Sequence, residues 1–307
     1  MDNPSSPIDA WSNLPRVPRL AASLQLHMLP LPPQPATTMN RRIAISYAIP
    51  SAWALASLGG LPALAQTSTA LPLSTAINRA GKMRAMSQRM SKAYVQATLN
   101  VLPERARDTM LATQTMVTQG LKELSAGAPP ADVLPLLNTL SRQGEALFSL
   151  TAGTVRTEAV ADVVRHADAM LEDAERVTRA YEKANTHPSA RLVNTAGRQR
   201  MLCQRAARAY FMLANGKPQP DMRQQLDAAR KGFAEGLDYL QASAVSTAHI
   251  RQELELAKGQ WLFFESALKR PASTDTLQTI ATTSERMYDA MDNLTGLYDA
   301  VVRDLFA

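Results

Sequence analysis

The chain has 307 residues, of which 46% are hydrophobic and 20% are charged, with a formal net charge of +6. This length and balance are typical of a globular protein of one or two domains, and they exclude a short peptide or a wholly disordered chain. Aromatic residues at 5% and 14 methionines favour helices over sheets, and a single cysteine excludes an internal disulfide and a zinc site built from cysteines.

The pattern of the N-terminal part of the sequence indicates a leader followed by an export signal. Residues 1–38 hold eight of the 19 prolines and show no helical or strand periodicity, which predicts a disordered or untranslated leader. From Met39, taken as the start, two arginines, an apolar stretch and a small-residue cleavage pattern ending at Ala65 follow one another. This order predicts a signal peptide over residues 39–65. The alternative is an uncleaved membrane anchor, and the sequence predicts no other contact with a membrane.

Two later segments, 77–94 and 193–210, share one sequence pattern. They read INRAGKMRAMSQRMSKAY and VNTAGRQRMLCQRAARAY, with eight identities in 18 positions at an offset of 116. The offset continues as far as Phe148 with Phe264, and it becomes 117 after one inserted residue. The sequence therefore predicts two tandem copies of one unit.

Each copy reads as four helices. Proline and glycine clusters separate stretches in which apolar residues recur at spacings of three and four. Because short connections favour antiparallel neighbours, we predict an all-α fold of two tandem four-helix up-down bundles related by an internal pseudo-twofold. The predicted domains are residues 74–184 and 189–306, with a hinge over 185–189.

The repeated helix has two contrasting faces. At 100° per residue, Met83, Met86 and Met90 gather on one face, which predicts core packing rather than metal or cofactor binding. The opposite face places small residues beside an arginine and an amide in both copies. Its candidate ligand-binding residues are Gly81, Arg84, Gln88, Gly197, Arg200 and Gln204.

Positive charge is concentrated in these two helices, which hold nine basic residues and no acidic residue in 36 positions. Four antiparallel helices return the chain to its starting end, so the fifth helix is expected to run parallel to the first. Arg84 and Arg200 would then face each other. Two close guanidinium groups repel one another and present forked donors, which suit a small oxyanion.

The alternative interpretation is that the basic face is neutralised by acids of neighbouring helices. The candidate acids are Asp168, Glu172, Asp173 and Glu175. The remaining basic residues of the repeated helices are expected to be surface charges. They include Lys82, Arg89, Lys92 and their counterparts Arg198, Arg205 and Arg208.

The string Asn-x-Ala-Gly-x-x-Arg-x-x-x-Gln-Arg begins at Asn78 and again at Asn194. It resembles the signature of the PilJ/NarX-like family, the sensory domains of type IV pili methyl-accepting chemotaxis transducers and of nitrate/nitrite sensor kinases. The resemblance implies a periplasmic four-helix bundle whose motif helices clamp nitrate between two arginines. Carried onto this sequence, those arginines are Arg84 and Arg200, with Gly81 and Gly197 beside them.

The resulting hypothesis is an exported, non-catalytic sensory protein that binds nitrate or nitrite. Relatives continue through a membrane span into signalling modules, whereas this sequence ends at Ala307. We therefore expect occupancy to be relayed to a membrane sensor, chemoreceptor or transporter. Replacing Arg84 with alanine is expected to abolish anion binding with little loss of stability. The alternative is a protein–protein interaction module of a chemotaxis or type IV pilus system, whose basic helices dock an acidic partner without any small ligand.

Catalytic patterns are missing from the sequence. The four histidines form no HExxH pattern, and there is no nucleophile elbow and no phosphate loop. We therefore predict no catalytic residue, no metal site and no cofactor. The basic clusters would also suit a nucleic acid, but export would keep the protein from such a ligand, so that interpretation applies only if the protein stays inside the cell.

Overall fold

The computed structural model describes residues 70–185, 187, 189–216 and 221–305, and every regular element within them is helical. The prediction of an all-α fold is confirmed for this part of the chain. The predicted leader and signal peptide lie outside the described residues. The helices are α1 (Leu73–Thr98), α2 (Pro103–Ala126), α3 (Leu134–Thr151), α4 (Val160–Ala184), α5 (Ala190–Ala214), α6 (Met222–Gln241), α7 (Ala248–Leu268) and α8 (Thr274–Leu305), with one 3₁₀ turn at Thr157–Ala159.

The helices begin and end at residues that disfavour continuation. Pro103 is the first residue of α2, where its missing N–H would have had no partner within the helix. Gly153 follows α3 with φ of 80°, and Gly216 follows α5 with φ of 68°. Glycine adopts this left-handed conformation without the steric cost of a Cβ. The breaks predicted near these three residues are confirmed.

The methionine face of α1 lies in the core. Met83, Met86 and Met90 are buried, and so is Cys203 at the matching level of α5. The prediction that the methionines serve packing is confirmed by this placement. Burial of side chains of this size stabilises the fold by roughly 1.5–3 kcal/mol each.

Helices α1 and α5 occupy the interior of the assembly. The first packs against α2, α4 and α5, and the second packs against α1, α6 and α8. Helix α3 lies against α4, and α7 lies against α8. The two inner helices are consequently buried on most of their faces, including the faces that carry the basic residues.

Shared hydrogen-bond partners show that α1 and α5 run in the same direction. Asp168 accepts hydrogen bonds from Gln88 of α1 and from Arg208 of α5. An antiparallel pair that brings Arg84 and Arg200 together would separate these two donors. The expected parallel arrangement is therefore present.

The contact between α1 and α5 joins α1–α4 and α5–α8 into one compact unit. In the sequence, helices α1–α4 precede the predicted hinge at residues 185–189 and helices α5–α8 follow it. Their division into two domains at residues 74–184 and 189–306 stays a prediction, as does the internal duplication. In the part of the chain that the structure describes, no helix is both long and apolar enough to cross a membrane.

Candidate functional site

Arg84 of α1 and Arg200 of α5 meet where the two helices touch, and both side chains are fully buried. A Cβ built on Gly81 would lie 2.9 Å from Nη2 of Arg84 and 3.8 Å from Nη2 of Arg200. A Cβ built on Gly197 would lie 3.0 Å from Nη2 of Arg200 and 3.8 Å from Nη2 of Arg84. The two guanidinium groups therefore lie beside both glycines, which the sequence had placed at one site.

The glycines provide the space that the guanidinium groups occupy. At Gly81 the added carbon would be closer to a nitrogen than ordinary van der Waals contact allows, so the arginine would have to move. Burial and the neighbouring charge of Arg200 together lower the pKa of Arg84, against the opposing effect of Glu175. The pair is thus a close juxtaposition of two cations that needs compensating negative charge.

Carboxylates on neighbouring helices supply that compensation. Nη1 of Arg84 lies 2.6 Å from Oε2 of Glu175 on α4, and Nη1 of Arg200 lies 2.5 Å from Oδ1 of Asp292 on α8. Burial opposes ionisation of Glu175, but the charge of Arg84 and hydrogen bonds from Arg84 and Arg179 outweigh it and lower the pKa of this carboxyl. The alternative interpretation, in which acids neutralise the basic face, is confirmed for Arg84 through Glu175.

Two asparagines complete the immediate surroundings of the arginines. Nη2 of Arg84 donates to Oδ1 of Asn194 at 2.8 Å, and Nη2 of Arg200 donates to the backbone oxygen of Asn78 at 3.0 Å. Each arginine is therefore held by the opposite helix. Oδ1 of Asn78 is buried without a hydrogen-bond partner among the described residues.

The two glutamines of the predicted site form hydrogen bonds with groups other than the two arginines. Nε2 of Gln88 donates to Asp168 at 3.1 Å, and Nε2 of Gln204 donates to the backbone oxygen of Ser284 at 2.9 Å. Both Oε1 atoms are buried and have no partner among the described residues. The structure therefore brings together four of the six predicted site residues, and the ligand-binding role of all six stays a prediction.

The expectation that the other basic residues are surface charges is wrong for three of them. Lys92 and Arg208 are fully buried, and Arg89 is 9% exposed. Lys92 and Arg89 both pair with Glu285 of α8, while Arg208 pairs with Asp168. The reason is the interior position of α1 and α5, which leaves almost no face of either helix to solvent.

Two acids of α8, Asp292 and Glu285, were not among the residues predicted from the sequence. Both could have been found from the repeat, since the offset of 117 relates Glu175 to Asp292 and Asp168 to Glu285. The two asparagines were seen as part of the motif, but no role was assigned to them. Their contacts with the opposite arginine depend on the packing of α1 against α5.

The described residues offer little for catalysis. No group of three or more His, Cys, Asp or Glu side chains is placed to hold a metal ion in this part of the chain. Burial raises the pKa of the Cys203 thiol well above its ordinary value, so the nucleophilic thiolate is strongly disfavoured. The arginine contact presents guanidinium hydrogen-bond donors, and the carboxylates beside them, Glu175 and Asp292, are held in ion pairs.

Comparison with known proteins gives one family. Residues 183–287 match the PilJ family, described as the N-terminal region of type IV pili methyl-accepting chemotaxis transducers. The matched segment begins just before α5 and ends within α8, so it contains Arg200, Gly197 and Gln204. The resemblance is confirmed for this segment, and the second copy predicted for the first half has no match of its own. No curated protein and no solved structure matches the chain.

Proposed function

We propose, from the place of residues 183–287 in the PilJ family of chemotaxis transducer domains, that this protein is a non-catalytic sensory module that binds a small oxyanion between Arg84 and Arg200. The family supports a sensory role, and nitrate or nitrite is the ligand that we assign. The observation that carries the proposal is the position of both guanidinium groups beside Gly81 and Gly197.

The charges around the arginine pair support an anionic ligand. Its ion-paired set contains Glu175 and Asp292 as carboxylates, and four cations: Arg84, Arg200, Lys82 and Arg179. Two positive charges are thus left over. The side chains of Lys82 and Arg179 are 30% and 70% exposed, so solvent screens part of this excess. An anion at the two buried guanidinium groups would balance the rest.

The hydrogen bonds indicate how an oxyanion would be held. Both Nη1 atoms are fixed by carboxylates, which leaves the Nη2 atoms directed at the opposite helix. Nη2 of Arg200 makes one hydrogen bond although it carries two N–H groups, so one donor is left for an oxyanion. Nη2 of Arg84 donates to Oδ1 and to the backbone oxygen of Asn194, and an oxyanion would replace the longer of these two bonds, at 3.5 Å. Because the two donors belong to α1 and α5, binding would change how these helices pack.

The sensory role also assigns a place and a direction of signalling. We assign the protein to the periplasm, exported by the predicted signal peptide that starts at Met39. Occupancy of the site would be relayed to a membrane partner of the chemoreceptor, sensor or transporter class. A shift of α5 against α1 is the structural change that such a partner would detect.

A thermal melt tests the proposal directly. The protein, in buffer free of nitrate and sulfate, is titrated with nitrate, nitrite, chloride and sulfate at matched ionic strength. Ligand at a hundred times its Kd stabilises the fold by about 2.7 kcal/mol, which is a shift of several degrees. We expect nitrate or nitrite alone to raise the Tm, and we expect Arg200→Lys to remove the rise because lysine lacks the forked donors. An equal response to every salt would contradict the proposal.

A second candidate is a helical interaction module without a small ligand. The observation that favours it is the set of ion pairs that already satisfies Arg84 and Arg200. The burial of most faces of α1 and α5 limits the surface that these helices offer to an acidic partner to the positions that stay exposed, such as Arg198. A Tm that does not change with any of the four salts would favour this candidate.

A further inference from the structure

A second cationic site lies outside the arginine contact, in a groove between α4 and α5. The groove has a volume of ≈ 380 Å³, and half of the eight residues that line it are arginines. They are Arg176, Arg179, Arg198 and Arg205. Cavities of this size are typical of sites for small molecules.

Two of these arginines form ion pairs with carboxylates, and the other two do not. Arg176 pairs with Asp173, and Arg179 pairs with Glu175 at 2.9 Å. Among the described residues, Arg198 and Arg205 form no ion pair and no hydrogen bond, and Nε of Arg205 is buried without an acceptor. Burial, together with the nearby charges of Arg208 and Arg198, lowers the pKa of Arg205, against the opposing charges of Asp168 and Asp221.

The matching positions of α1 provide an internal comparison. Offset by 116, Lys82 corresponds to Arg198, and Arg89 corresponds to Arg205. Both α1 residues are neutralised, since Lys82 lies 2.9 Å from Asp292 and Arg89 lies 2.5 Å from Glu285. Basic residues at these helix positions can therefore form ion pairs, as they do in α1, although Arg198 and Arg205 in α5 do not.

The two halves differ at the acid that corresponds to the partner of Arg89. The residue that corresponds to Glu285 is Asp168, whose side chain is shorter by one methylene. Asp168 already accepts hydrogen bonds from Arg208 and Gln88. The charge of Asp168 acts on Arg205, but the two residues form no ion pair, whereas Glu285 pairs directly with Arg89.

The charge balance of the groove sets the charge of its ligand. The cations among the lining residues are the four arginines. The lining carboxylates are Glu172 and Glu175. An excess of two positive charges remains, and two negative charges would balance it.

We propose that the α4/α5 groove binds a small organic dicarboxylate, with one carboxylate on Arg198 and the other on Arg205. The two arginines are seven residues apart on one helix, so their Cα atoms are separated by about 10 Å along the axis. Their long side chains span the remaining distance to a short dianion. The apolar side chains of Leu171 and Met201 line the same groove and contact its carbon skeleton. This site is distinct from the Arg84–Arg200 contact and does not rest on its occupancy.

Calorimetric titration of the full chain tests the proposal, with succinate and glutarate as dianionic probes. Acetate serves as a monoanion and inorganic phosphate as a dianion without a carbon skeleton, all at one ionic strength. We expect saturable binding of succinate or glutarate, and binding weaker by about tenfold or more in Arg205→Gln, since a charge-assisted hydrogen bond is lost. Arg205→Gln leaves no carboxylate without its partner, so the variant is expected to fold.

Two further variants complete the design. Arg198→Gln is expected to weaken succinate binding like Arg205→Gln, whereas Arg165→Gln, on the exposed face of α4, is expected to leave it unchanged. The Tm response of Arg205→Gln to nitrate should equal that of the unmodified protein, which separates this proposal from the previous one. Three results would overturn the proposal: binding of phosphate alone, no saturable heat with any probe, or a succinate affinity in both groove variants that equals that of the unmodified protein.

Discussion

Arg208 of α5 forms a 2.7 Å ion pair with Asp168 of α4, so a buried cation of the second helix set is neutralised by an acid of the first. Conversely, a buried cation of the first helix set, Lys92 of α1, is neutralised by an acid of the second set: its Nζ lies 2.6 Å from Glu285 of α8. These reciprocal pairs tie the two sets of helices together. They also make the stability of the assembly depend on the ionisation of a few carboxylates.

Acidification is expected to destabilise the protein through Glu285. Burial opposes ionisation of this carboxyl, but Lys92 and Arg89 outweigh that effect and lower its pKa from 4.5 to about 2. Because the folded-state pKa lies below the unfolded value, the contribution to stability is fully present above about pH 5 and is lost as the pH falls towards 2. The loss amounts to about 3 kcal/mol.

Urea unfolding at several pH values between 7 and 2.5 measures this dependence. Glu285→Gln should be less stable at neutral pH, since Lys92 and Arg89 lose their partner, and its stability should fall less steeply with acid. Glu104→Gln, on the exposed surface of α2, is a control that should retain the original slope. Equal slopes for Glu285→Gln and the unmodified protein would show that the pKa is not depressed.

Replacing Arg84 with alanine is expected to cost about 3 kcal/mol of unfolding free energy, at the lower end for a broken buried ion pair. Glu175 loses its 2.6 Å partner but keeps Arg179, which limits the loss. The expectation from sequence, that this change leaves stability almost intact, is thereby revised. Arg79→Ala, which removes a half-exposed ion pair from the same helix, should change stability by less than about 0.5 kcal/mol. Similar urea midpoints for the two variants would argue against a stabilising role of the buried pair.

Because Met86 lies on the buried methionine face of α1, we expect Met86→Ala to lower the free energy of unfolding strongly. Met86 is fully buried, so truncation removes buried apolar surface and leaves a cavity at a cost of roughly 2–5 kcal/mol. Met116→Ala on α2 is the matched control, because that side chain is 39% exposed. Chemical denaturation of both variants gives the comparison, and a cost below about 0.5 kcal/mol for Met86→Ala would mean that the helix faces are wrongly assigned.

A methyl group at Gly81 is expected to disturb the arginine contact. Its carbon would lie 2.9 Å from Nη2 of Arg84, a buried group that Glu175 and Asn194 hold in place, so we expect Gly81→Ala to cost about 1–3 kcal/mol. Nothing lies within 4 Å of the corresponding atom at Gly259 in α7. Gly259→Ala should therefore stabilise the fold by about 0.5–1 kcal/mol through helix propensity. Thermal melts should show a lower Tm for Gly81→Ala and a higher Tm for Gly259→Ala. A higher Tm for Gly81→Ala would contradict the close packing of Gly81 against Arg84.

Much of the candidate site could be predicted because the motif repeats at a fixed interval. Periodicity placed Gly81 and Arg84 on one face, and helix topology placed Arg200 opposite them. The fate of Lys92 could not be predicted, because a helical wheel shows which residues share a face but not whether another helix covers it. Burial of that face by α8 turned an expected surface lysine into a buried ion-pair partner.

The sequence by itself determined that the chain is helical, where several of its helices break, and that its positive charge is concentrated in α1 and α5, because these follow from local propensity, turn residues and composition. Only the tertiary structure decided which acid neutralises which arginine. Ion pairs such as Arg84 with Glu175 and Arg208 with Asp168 join residues 91 and 40 positions apart. The sequence could not assign these partners, because distance in space, rather than order in the chain, sets electrostatic energy.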